Sequence, residues 1–255
     1  MKVDLQTRFS SSQGGTSMPS PAEAGDLRQW LAAEYAKDVK ASRAGKMADK
    51  ALAKFYFLRG LLDGPAGVST DGKVLNVAAG ANLMALVDPS REVVGIDADA
   101  QLVDWASEAG QIWGLRGNNQ ITNVLSGELQ DVVAKERPSA VLCSHACGGL
   151  TDAALDAAVH NRVPAVVVLT CCSFRATDVS HHVIGSGWYT ADDYDALAKA
   201  SGDVHRPRGF AAQAEINRLR ADFLRRHGYV TKRGWRSQNG KAAPSGGWVV
   251  ATLEE

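Results

Sequence analysis

Apolar positions change their spacing several times along the chain, and each change marks an element. From Asp26 to Lys46, Leu27, Trp30, Leu31, Tyr35 and Val39 recur at helical spacing. A second helix is predicted over Met47 to Leu62, with the aromatic cluster Phe55 to Leu58 inside it. Val74 to Val77 then reads as a buried strand, followed by a turn of small residues (Ala78 to Asn82), a short helix and a second strand ending at Asp97. Leu102, Trp105, Ala106, Ala109, Ile112 and Trp113 share one helical face.

Further strands are predicted at Ile121 to Leu125, which leads into Ser126-Gly127-Glu128, and at Ala140 to Ser144. Thr151 is placed as the N-cap of a helix through Ala158. Pro164 to Thr170 is a continuous apolar run, as expected of a central strand covered on both faces. Ala176 to Arg208 reads as a long polar connection carrying His181 and His182, and Phe210 to His227 as a helix. Tyr229 to Arg233 and Trp248 to Leu253 are two strands joined without a helix, so they must be antiparallel. The alternation predicts an α/β fold: a doubly wound, seven-stranded, mostly parallel sheet with a C-terminal antiparallel hairpin and an N-terminal helical extension. The expected organisation is a flexible N-terminal arm over 1–25, a helical extension or lid over 26–65, and a ligand-binding domain over 66–255.

In such sheets ligands bind outside the carboxyl ends of the strands. That rule gathers the turn after Val77, Asp97, Gly127-Glu128, His145 to Gly149 and Cys171 to Phe174 around one crevice. Ala78, Ala79 and Gly80 would let a ligand approach the backbone closely, and a carboxylate at the tip of the next strand suits a ribose diol. A dinucleotide fingerprint would need glycines where this chain has Ala78, Gly80 and Leu83. The missing third glycine argues against a diphosphate and against an NAD-type oxidoreductase.

Charge adds a local signal. The 255 residues hold 28 Lys/Arg and 28 Asp/Glu, but His205 to Lys241 has ten basic residues against two acidic ones. That stretch could meet phosphates, RNA included, or be a solvated helix face. No signal peptide or membrane-spanning run is read, and Cys143, Cys147, Cys171 and Cys172 lack disulfide-framework spacing. A reduced, cytoplasmic protein without membrane contact is therefore expected. A metal site is not expected: same-face neighbours such as Cys143 and His145 stand about 6.6 Å apart along a strand, whereas donors on one zinc need to be about 3–4 Å apart.

The stretch Val74 to Asp99 resembles the first motif of class I S-adenosylmethionine (SAM) methyltransferases, and the resemblance extends to the final hairpin. It implies that Ala78, Gly80 and Asn82 line the methionine moiety, that Asp97 holds the ribose hydroxyls and that Gly127 and Glu128 lie near the adenine. Asn76, Ala98 and His145 complete the implied cofactor set, and the product would be S-adenosylhomocysteine (SAH). The segments H-A-C-G-G-L-T-D (His145 to Asp152) and C-C-S-F (Cys171 to Phe174) further resemble the tRNA ribose 2′-O-methyltransferases of the acceptor stem and the related glutathione-transferase-C-terminal-domain-containing methyltransferase-like proteins. A hydroxyl nucleophile needs a base. His145 is the candidate, oriented by Asp152, or else it only hydrogen-bonds the cofactor or a loop. Cys147, Cys171 and Cys172 are either covalent nucleophiles or small core residues. The expected activity is methyl transfer to an O or N nucleophile of a small molecule or an RNA. The alternatives are a SAM-fold scaffold without chemistry and the NAD-type enzyme.

Overall fold

The computed structural model describes residues 27–125, 127–144, 146, 148–170, 183, 190–203, 207–238 and 241–254. Its centre is a seven-stranded sheet in the order β3-β2-β1-β4-β5-β7-β6. The strands are β1 (Val74–Val77), β2 (Val93–Asp97), β3 (Asn119–Ile121), β4 (Ala140–Ser144), β5 (Ala165–Leu169), β6 (Tyr229–Gln238) and β7 (Lys241–Leu253). The first five pair in parallel, and β7 runs antiparallel to both β5 and β6. All residues of β4 and β5 are buried, in keeping with a sheet covered on both faces.

Eight helices are described: α1 (Leu27–Ala36), α2 (Ala41–Asp63), α3 (Leu83–Val87), α4 (Ala100–Ile112), α5 (Glu128–Glu136), α6 (Gly149–His160), α7 (Ala191–Ser201) and α8 (Pro207–Arg226). Two apolar clusters lie on opposite faces of the sheet. One joins Leu75, Val77, Val166 and Val168 to residues of α6, α7 and α8. The other joins Val74, Leu142 and Val167 to Trp30 of α1, Leu58 and Leu62 of α2 and residues of α3 and α4. Complete burial of a side chain such as Leu62 is worth about 1.5–3 kcal/mol. The first two helices thus form part of the layer that covers one face.

Several boundaries differ from the sequence reading, each for a local reason. The first helix stops at Ala36, and Lys40 takes an extended conformation at the start of α2, so the chain reverses and the two helices pack on one another. The third strand is Asn119–Ile121 rather than Ile121 to Leu125, because Gly95, Ile96 and Asp97 pair with those three residues. Beyond it the chain leaves the sheet: Val124 turns into the core, while Ile121 and Leu125 are exposed. Thr151 is not an N-cap. Gly148, at φ 58° and ψ −128°, opens α6, and the Thr151 hydroxyl donates back to the Ala146 carbonyl.

The connection before α8 contains α7, which Thr190 and Asp193 start with a reciprocal capping box. The last two strands also run further than their apolar patterns, with Gln238 paired to Lys241 across the turn. Their extra length carries the hairpin past the end of β5, whose final residue Leu169 pairs with Trp248.

Candidate functional site

Because β1 to β5 are parallel, the segments that follow them emerge on one edge of the sheet. Ala78, Gly80 and Asn82 adopt positive φ (52°, 53° and 44°), which coils the turn after β1 tightly. For the two non-glycine residues that conformation costs roughly 1–2 kcal/mol each. Asp97 closes the turn from the neighbouring strand: its Oδ2 accepts the Gly80 N–H at 2.7 Å, and its Oδ1 accepts the Asp99 N–H at 3.1 Å. A carboxylate offers about four lone-pair positions, so both oxygens retain capacity for a diol. Asp97 is half-buried and the adjoining Ala98 exposed. Asp99 caps α4 through Gln101 and Leu102.

Asn82 is placed differently from a pocket-lining side chain. Asn76, Gly95 and Asn119 occupy one row across β1, β2 and β3. Gly95 has no side chain, and the Asn82 carboxamide fills the gap. It accepts from Asn76 Nδ2 at 2.9 Å and donates to Asn119 Oδ1 at 2.8 Å. A Cβ at position 95 would stand 2.4 Å from Asn119 Oδ1 and 2.6 Å from Asn82 Nδ2. Asn76 and Asn82 are both buried, so their side chains brace the turn from below. Gly127 (φ 82°) precedes α5, and Glu128 accepts the Asn123 N–H at 3.2 Å; both residues are exposed.

At the tip of β4, the segment around Ala146 and Gly148 is held from beneath. Asp152, fully buried on α6, accepts Arg220 Nε at 2.7 Å on one oxygen and the Tyr194 hydroxyl at 3.2 Å on the other. Arg220 also donates to the Gly148 carbonyl at 3.3 Å. Burial penalises the Arg220 charge, but Asp152 and Tyr194 outweigh it and hold the guanidinium above its ordinary range. Asp152, read as an orienter of His145, also anchors α6, α7 and α8 to one another. After β5, Thr170 donates both its N–H and its hydroxyl to the Gly247 carbonyl, each at 2.8 Å, and Asn217 Nδ2 donates to the Thr170 hydroxyl at 3.1 Å.

His145, Cys147, Cys171 and Cys172 lie outside the described residues, as do His181 and His182. Cys143 is fully buried, and burial raises its thiol to about 12.

Four arginines of the basic stretch are paired with carboxylates. Arg208 pairs with Asp203, Arg218 with Glu215 and Asp222, Arg225 with Asp222, and Arg220 with Asp152. Lys232 and Arg233 of β6 remain exposed.

Gly95, Asn119, Tyr194 and Arg220 support the candidate site, and the sequence reading gave them no such part. Gly95 did carry a signal, as an isolated glycine within an apolar strand. Arg220 did too, since it falls among the buried positions Ile216, Leu219 and Leu224 of α8.

Residues 63–177 match the family model described as a methyltransferase domain. The match runs from the end of α2 through the Cys171-Cys172 pair. No curated protein matches the sequence. Among solved structures, the chain is similar to magnesium protoporphyrin IX methyltransferase from Synechocystis with bound SAH. The identity is 13%, with 83% of this chain and 87% of that one covered and a TM-score of 0.48. The methyltransferase domain of bacterial CtHen1-C aligns at 14% identity over 80% of this chain and 99% of that one, with a TM-score of 0.48. Precorrin-6y C5,15-methyltransferase from Geobacter metallireducens aligns at 11% identity over 80% and 88%, with a TM-score of 0.44. The likeness to a methyltransferase domain thus rests on the segment 63–177, a little under half of the chain. Among the described residues, no helix is long and apolar enough to cross a membrane.

Proposed function

We propose that this chain transfers a methyl group from SAM to an O or N nucleophile of a small-molecule acceptor. The observation that carries the reading is the coupling of the β1 turn to Asp97, within the stretch that matches a methyltransferase domain. The residues present fit the donor. Asp97 keeps lone pairs for the ribose hydroxyls, Ala78 and Gly80 leave the backbone open to the methionine portion, and exposed Gly127 and Glu128 stand at the next strand's edge for the adenine. Asn76 and Asn82 serve the cofactor indirectly, by fixing the turn, and Ala98 borders the ribose.

Bound SAM supplies an electrophilic sulfonium methyl. The protein's part is to align the acceptor in line with it, and positioning of that kind contributes much of the rate in a displacement. In this reading His145 removes the acceptor's proton. Arg220 and Asp152 hold the tip of β4 that leads to it, and Cys147, Cys171 and Cys172 wall the acceptor side. Arg218, Arg220 and Arg225 of α8 are already paired with Glu215, Asp222 and Asp152, which leaves them less free to meet an RNA backbone and favours a small acceptor.

Calorimetry with SAH tests the cofactor reading. The unaltered protein should bind it, and Asp97→Ala should weaken binding about 10- to 100-fold, equivalent to one or two lost charge-assisted hydrogen bonds. No SAH binding by the unaltered protein would sink the proposal. Transfer from labelled SAM to tRNA, and not to a metabolite fraction, would replace the small acceptor with RNA.

A further inference from the structure

Buried arginines in this protein come with acceptors. Arg91 donates to Asp88, Asp63 and the carbonyls of Val68 and Ser69, and Arg220 to Asp152 and the Gly148 carbonyl. Arg236 breaks the pattern. It is half-buried, and its Nε is shut away from solvent with no hydrogen-bond partner. A buried donor left unpaired costs about 1–3 kcal/mol, and more when charged, and no acceptor for it stands among the described residues, so one from a ligand is called for.

The location says what kind. Thr170, the first residue beyond β5, bonds to Gly247, and Gly247 pairs with Trp235. Arg236 therefore stands two residues past the level of Leu169, the last residue of β5, on the hairpin that extends beyond the ligand edge. Two inter-strand spacings separate β6 from β5, or about 10 Å. The register shifts at this residue: between the pairs Trp235–Gly247 and Ser237–Ala242, Arg236 alone spans four residues of β7, so the regular ladder is interrupted beside it. Trp235 packs on Phe210 of α8 with ring centroids 5.3 Å apart, so the base of the overhang is held against the body of the protein.

The geometry points to an anion subsite at Arg236 that receives a carboxylate or phosphate group of the methyl acceptor, about 10 Å from the tip of β5. This rests on the methyltransferase reading and deepens it. The guanidinium presents its Nε–H and an adjoining Nη–H as a planar fork that matches either oxyanion in a bidentate manner. The shielded Nε must be entered by a compact group; a polyanion passing along the surface would meet Lys232 and Arg233 instead. Burial also lowers the Arg236 pKa, a desolvation that an incoming anion would offset.

The test follows the arginine Nε–H resonances of the SAH-bound, nitrogen-15-labelled protein during separate titrations with inorganic phosphate and with succinate. Arg236→Gln identifies the resonance by its loss, and Arg236→Lys keeps the charge without the fork. The shielded Nε–H should shift saturably with one of the two anions, and which one names the group. By calorimetry, succinate or phosphate should bind Arg236→Lys about tenfold more weakly than the parent. SAH affinity should stay within about twofold of the parent in both variants, because Arg236 lies on the far side of the sheet from Asp97. If SAH binds and neither anion moves the resonance, the subsite is refuted while the methyltransferase reading stands. Loss of SAH binding in the unaltered protein would refute the latter.

Discussion

Ala78 and Asn82 hold a left-handed conformation within four residues of one another, and only Asn82 is recompensed by side-chain bonds. Ala78 has a methyl group where hydrogen would sit more easily. Replacing it with glycine removes a steric cost of roughly 1–2 kcal/mol and adds chain entropy to the unfolded state worth about half that. Ala78→Gly should therefore raise the thermal midpoint slightly, and calorimetric scanning would read the change. SAH affinity should hold, because the turn's backbone path is unchanged. The retained strain is local and bears on a turn whose closure depends on the 2.7 Å bond from Gly80 to Asp97.

At the scale of elements, the buried Arg220–Asp152 pair locks α8, α6 and, through Tyr194, α7 behind the tip of β4. Deleting one partner of such a pair leaves an uncompensated charge and costs about 3–5 kcal/mol, whereas replacing both with apolar side chains is often neutral. Arg220→Met should thus destabilise strongly in urea, and Asp152→Leu with Arg220→Met should recover most of the loss. If the pair only stabilises the fold, the double variant should also recover methyl transfer. If it positions the β4 tip, stability returns while transfer stays low.

Elements with strong periodicity were legible from residues alone: β1, β2, β4 and β5 fall where apolar runs end in small or acidic residues. The Arg220 tie was not, because its partners are 68 and 72 residues away in sequence. The third strand was misplaced because Ile121, Val124 and Leu125 resemble a strand. Pairing with the end of β2 decided the register instead, and left two of those three apolar side chains in solvent. Helix α7 was hidden by a polar sequence, and only its Thr190–Asp193 cap gave a local cue.

Considered whole, the protein carries acids that burial keeps neutral. The Cys143 thiol is raised from 9.0 to about 12, and the Tyr35 phenol, also through burial, from 10.0 to about 12. Below about pH 9 the folded and unfolded chains hold these protons equally. Above it the unfolded chain releases them first, so stability falls as pH rises towards the folded values. Urea titrations at about pH 8 and about pH 10.5 should differ by about 2 kcal/mol from Cys143 alone, and Cys143→Ala should remove that portion. The edge on which the turns gather was legible through topology, since parallel strands send their following turns to one side. How much of the basic stretch is paired was not legible, because sequence cannot tell a free arginine from one paired to a carboxylate a turn away, as Arg218 is to Glu215 and Asp222.

The slot over Gly95 has a consequence for how this protein can change. Its three asparagines and one glycine occupy a single space, so their substitutions are not independent. A library that varies position 95 alone should return almost only glycine. One that varies 76, 82, 95 and 119 together should admit other combinations, such as a small residue at 82 beside alanine at 95. Inheritance at these positions would then run in blocks, with the turn after β1 carried along by a residue in the neighbouring strand.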